Sequence, residues 1–93
     1  MSNVIKMPKR FDYSASSEFN NLLADIFSKC GDGGVVTLDC VNMDYIDSAG
    51  IGLLVMAHKK ALSARATITM AFVKQSIKEI LMLANLQKLI EIK

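Results

Sequence analysis

Between residues 19 and 27 the apolar side chains Phe19, Leu22, Leu23, Ile26 and Phe27 recur at the i, i+3, i+4, i+7, i+8 spacing of one helical face. Ser16 and Ser17 precede the run as candidate N-caps, and Glu18 places an acid in the first turn, where the helix dipole favours it. The turn Gly31-Asp32-Gly33-Gly34 ends this helix, because glycine accepts the positive φ that a helix terminus requires. From Val35 to Cys40 the chain is nearly continuously apolar over the length of one strand and β-branched at its start, which predicts a central strand covered on both faces.

A second helix is predicted from Ser48 to Ser63, with Ile51, Leu54, Val55, His58 and Leu62 on its inner stripe and Lys59 and Lys60 near its carboxyl end. Ala66 to Val73 alternates β-branched and apolar residues as another strand does. Ser76 is the candidate cap of a third helix carrying Ile77, Ile80, Leu81 and Ala84, and Leu89 to Ile92 reads as a last short strand. At the amino end, Asn3 to Met7 can form a short first strand that Pro8 confines to an edge or a break. The alternation of strands and helices predicts right-handed βαβ units: an α/β fold with a small mixed or parallel sheet of about four strands and three helices.

Composition narrows the function more than the fold. The 93 residues are enough for one domain, 1–93, with a single core and little surplus. Apolar residues make up 52% of the chain, yet polar ones interrupt them everywhere, so a soluble protein without direct membrane insertion is expected. A net charge of +2, no Trp and no arginine-aromatic interleaving speak against nucleic acid as a partner. The first nine residues lack the apolar core of a secretory signal, and two cysteines are too few for a disulfide framework, which fits the reducing cytoplasm. Cys30 and Cys40 have neither metal-ligand nor redox-pair spacing and are expected to be buried free thiols; no metal site and no cofactor are implied. The glycine cluster at 31–34 is no nucleotide loop, since a strand follows it and the Lys-Ser/Thr pair is missing.

Candidate chemistry is confined to Asp44–Leu54. Asp47 and Ser48 fall where a strand's exit loop becomes the first turn of a helix, so the Ser48 hydroxyl lies beside N–H groups that have no helical acceptor. As a nucleophile Ser48 lacks a base: His58 stands two to three turns further along the same helix. Ile46 occupies the position where a nucleophile elbow needs glycine, and no enzyme activity is predicted. Phosphorylation fits better, because a helix N-terminus stabilises the roughly −1.5 to −2 charge of a phosphoserine while Asp44 and Asp47 keep the surrounding surface acidic. An ordinary N-cap role for Asp47 or Ser48 would explain the same residue types.

The run Asp47-Ser48-Ala49-Gly50-Ile51-Gly52-Leu53-Leu54, preceded by the strand Val35 to Asp39, resembles the signature of the STAS domain of anti-sigma factor antagonists. Arg10 to Ala15 resembles the segment entering that family's first helix, and Leu83 to Leu89 the exit of its third. The resemblance implies that Ser48 is phosphorylated by a serine kinase, often the anti-sigma factor itself, and dephosphorylated by a PP2C-type phosphatase, the two states selecting different partners. With it, Asp44, Asp47, Gly50, Ile51, Gly52, Leu53 and Met56 become the expected partner-binding set, with Gly50 and Gly52 leaving room for close approach. Ala49 stands where many relatives carry a second hydroxyl residue, and the amino-terminal strand pair is short, which leaves a sheet edge for a homodimer or a larger partner. The alternative implied by the same resemblance is a STAS-like cytoplasmic accessory subunit of an ABC-type lipid transporter.

Overall fold

In the computed structural model, which describes residues 3–93, the chain runs β1 (Val4–Lys6), β2 (Arg10–Phe11), α1 (Ser16–Cys30), β3 (Val35–Asp39), β4 (Tyr45–Ile46), α2 (Ser48–Ser63), β5 (Thr67–Ala71), α3 (Gln75–Leu83) and β6 (Glu91–Ile92). Short 3-10 turns at Tyr13–Ala15 and Leu86–Lys88 lead into α1 and β6. The main sheet has the order β1-β3-β5-β6 and every pairing in it is parallel. The α/β class, the four-stranded sheet and the three helices are those expected from the sequence.

This strand order advances in one direction without reversing, so crossovers of one hand deliver all their helices to the same face. Burial follows: Ile5, Val36, Leu38, Ile68 and Met70 point into the core, whereas Val4, Lys6, Val35, Thr67 and Glu91 on the opposite side are exposed. The expectation that the strand from Val35 to Cys40 is covered on both faces is therefore corrected. Its apolar run reflects β propensity at Val35, not burial.

Two capping assignments also move. Asp12 caps the 3-10 turn ahead of α1, accepting hydrogen bonds from the Ser14 N–H and hydroxyl, so Ser16 and Ser17 lie inside the first helical turn instead of capping it. The helix α3 starts one residue before Ser76, after Lys74, and has no side-chain cap. The positive φ of Gly31 (69°) and Gly33 (79°) bears out the glycine turn that ends α1.

The inner face of α2 is Gly50, Leu54, Ala57 and Ala61. Of the predicted stripe, Leu54 is buried, Ile51, Val55 and His58 are half-buried, and Leu62 is 64% exposed. The helix is rotated so that its small residues face the sheet, because Gly and Ala let the backbone approach closely while Ile51 and Val55 fill the margins. Cys40 is buried and desolvation pushes its thiol up to about 12, but Cys30 is only half-buried, against expectation.

Candidate functional site

A second, two-stranded sheet positions the site. β2 and β4 pair in parallel, with Arg10 opposite Tyr45 and Phe11 opposite Ile46, and the Lys9 carbonyl accepts from the N–H groups of Asp44 and Tyr45 at 2.9 and 3.2 Å. Phe11 is fully buried and its ring meets Phe19 of α1 edge-on at 4.9 Å between centroids. This brace sets where α2 begins.

Asp47 leaves β4 in an extended conformation (φ −125°) and caps α2: its Oδ1 accepts from the Gly50 N–H at 3.1 Å, and its Oδ2 accepts from the Tyr45 hydroxyl at 3.4 Å. The carbonyl of Asp47 takes the first helical bond, from the Ile51 N–H at 3.0 Å. Ser48 is the first residue of α2 and is exposed. The N–H groups of Ser48 and Ala49 remain as the helix's unsatisfied donors, beside the Ser48 hydroxyl. An anion attached there would meet two donors and the positive end of the helix dipole.

Charged groups around this point are already engaged with one another. Lys9 lies 3.7 Å from Asp44. Arg10 donates from Nε to Asp12 at 2.7 Å, and its guanidinium carbon stacks 3.9 Å over the Tyr45 ring centroid. Hydrogen bonds from Ser14 and then from Arg10 hold the Asp12 carboxyl below the ordinary carboxylate value, and the bond to Asp12 raises Arg10. The sequence pattern does not mark Arg10, Asp12 or Tyr45 as site residues. A two-residue strand carries no periodicity, so the pairing that brings Arg10 to Tyr45 had no signal to read.

The predicted partner-binding residues divide. Asp44, Gly52 and Met56 are exposed, Met56 by 49%, and Asp47, Ile51 and Leu53 are half-buried, the last two packed against the core. Gly50 is buried. A Cβ there would run into the Phe11 carbonyl oxygen and stand 2.8 Å from Ile46 Cγ1, so the close approach it permits is to β2, not to a partner. At Gly52 a Cβ would meet nothing within 4 Å. Two apolar residues outside the predicted set share this end of the sheet: Val41 and Phe72 directly follow the Cys40 N–H and Ala71 carbonyl that join the ends of β3 and β5 at 2.9 Å. Phe72 is 68% exposed and has a φ of 59°, a left-handed conformation that costs a side-chain-bearing residue about 1 kcal/mol or more. Among the described residues, no group of three or more His, Cys, Asp or Glu side chains could hold a metal ion, and no helix is long and apolar enough to cross a membrane.

The family model of the STAS domain matches residues 3–93 of this chain, with the capped Asp47-Ser48 helix start inside the match. The chain belongs to the STAS domain family. Solved structures agree with this STAS fold. The NMR structure of the protein TM1081 superposes with a TM-score of 0.79 at 20% identity, covering 97% of this chain and 71% of that one. The crystal structure of TM1081 from Thermotoga maritima, described as a candidate anti-sigma factor antagonist, gives a TM-score of 0.78 at 21% identity over 99% of this chain and 80% of the other. At such identities the likeness speaks for the shared fold.

Proposed function

We propose that this STAS domain is a regulatory binding protein of the anti-sigma factor antagonist type, controlled by phosphorylation of Ser48, and that it works by binding and not by catalysis. The observation that carries this reading is the exposed Ser48 hydroxyl at the first position of α2, left free because Asp47 does the capping. The solved relative described as a candidate anti-sigma factor antagonist supports it. The partners in this reading are an anti-sigma factor or related serine kinase and a PP2C-type phosphatase.

The switch would act on binding more than on folding. A phosphoserine adds about −1.5 to −2 charge, which the two free N–H groups and the dipole accept without disturbing the core. A partner sees a different surface: Asp44 and Asp47 flank the dianion, while Lys9 and Arg10 are taken up by Asp44 and Asp12. Burying that charge in an interface without a new cation is costly, so the unphosphorylated form binds the kinase or regulator and the phosphorylated form lets it go. Met56 and Gly52 on α2, with the exposed apolar Val41 and Phe72 after β3 and β5, supply the contact area.

The test is to incubate the protein with candidate serine kinases of its own genome and ATP, map the phosphate by mass spectrometry, and measure partner binding for three forms. Modification at Ser48, lost binding in Ser48→Asp and constitutive binding in Ser48→Ala are expected. Equal binding by wild type and both variants would overturn the switch and favour a permanently docked subunit, such as one serving an ABC-type transporter.

A further inference from the structure

The outer strand β1 presents an unoccupied edge among the described residues. In its ladder with β3, the Asn3 carbonyl accepts from the Thr37 N–H and the Met7 N–H donates to the Asp39 carbonyl, so the odd-numbered residues face β3. The N–H and C=O groups of Val4 and Lys6 therefore point away from the sheet. Beside them run two hollows, of about 350 and 530 Å³, between β1 and α1. The first joins Lys6, Met7 and Pro8 to Ser14, Glu18 and Leu22; the second joins Asn3 and Val4 to Asp25, Ile26 and Lys29. Hence α1 runs antiparallel to β1, with its middle, near Leu22 and Ile26, alongside Ile5.

We infer that this edge is a homodimer interface, in which β1 of a second copy adds antiparallel to β1 about a two-fold axis at Ile5. The register follows from which groups are free. Val4 and Lys6 of one copy exchange both N–H···O=C bonds with Lys6 and Val4 of the other, and Ile5 faces its own counterpart in a non-hydrogen-bonded pair. The same axis sets the two α1 helices antiparallel. It thereby brings Glu18, near the start of one, to Lys29, near the end of the other, twice over.

That charge order is what selects a second copy as the occupant. The α1 face along the groove is Glu18, Leu22, Asp25 and Lys29; Lys29 lies 3.2 Å from Asp25 one turn before it, and a reversed copy of the row adds Glu18 as its second acid, so the face complements itself only when reversed. Leu22, 40% exposed, and Ile26 lie between the charged ends as the apolar centre. Four backbone bonds, two ion pairs and this small apolar strip make a modest interface, reversible in concentration. Because the two-fold reverses strand direction, the carboxyl ends of the two sheets, and with them the two Ser48 hydroxyls, point in opposite directions. Dimerisation leaves both accessible and does not depend on the proposed phosphorylation.

Analytical ultracentrifugation of the full chain up to about 1 mM, where weak interfaces of this size are populated, should show a concentration-dependent dimer. Lys6→Pro removes an outward N–H without touching the ladder to β3 and should leave a monomer of unchanged secondary structure. The charge exchange tests the contact without altering the strand. Glu18→Lys and Lys29→Glu should each weaken the dimer about tenfold through like-charge pairs, and the double variant should recover it to within about threefold of wild type. A wild-type monomer at every concentration would overturn the proposal, as would a dimer indifferent to Lys6→Pro or a double variant no tighter than either single one.

Discussion

Two glycines two positions apart in α2 have opposite roles. Gly50 sits under the Phe11 carbonyl and Ile46, in a packed place from which the backbone cannot withdraw, so Gly50→Ala should cost about 1–3 kcal/mol as overpacking does. Gly52 faces open space, and Gly52→Ala should raise stability by about 1 kcal/mol through helix propensity alone. Urea unfolding followed by circular dichroism separates the two by the sign of the midpoint shift. If Gly52 is a contact point for the partner, the more stable variant will also bind less well. The cysteines divide in a similar manner: with its thiol pushed up to about 12 and no exposure, Cys40 should resist iodoacetamide in the native protein, while the half-buried Cys30 reacts. Mass spectrometry should find one carboxamidomethyl group before unfolding and two after it.

Among the elements, the inward faces of α1 and α3 were readable, with Phe19, Leu23, Ile77 and Leu81 buried as expected, and the rotation of α2 was not. The period of Phe19, Leu22, Leu23, Ile26 and Phe27 locates α1, yet Phe19 and Leu23 are buried while Leu22 stands at the edge groove. In α2 nearly every position is apolar or small, so several stripes satisfy the spacing equally; the approach of Gly50, Ala57 and Ala61 to the sheet decides among them. The turn before α1 depends on Asp12, whose carboxyl is held below its ordinary value by Ser14 and Arg10. Its ionised form therefore stabilises the fold fully above the unfolded value of 3.8, and that contribution is lost as the pH falls through the lower folded value. Asp12→Asn should flatten the acid limb of a stability-pH profile measured in urea; an unchanged limb would assign the acid loss to other carboxylates.

Across the whole molecule, the site and the core are mechanically separate. Ser48 is exposed while Leu54, two turns on, is fully buried, so Ser48→Asp should change the unfolding free energy by less than about 1 kcal/mol, whereas Leu54→Ala should cost about 2–5 kcal/mol. Calorimetry of the two variants checks this directly, and a large loss in Ser48→Asp would mean that charge at α2 disturbs the fold itself. Residue order by itself determined the alternation of elements, the turns at Gly31 and Gly33, and the placement of Asp47-Ser48 at a helix start, because these depend on local dihedral preference and on apolar spacing within one element. Only the tertiary structure decided which sheet face is covered, which side of α2 points inward, and that Arg10, Tyr45 and Asp12 gather beside Asp47. Those outcomes depend on strand order and on contacts between residues distant in the chain, for which a short strand such as β2 or β4 leaves no local trace.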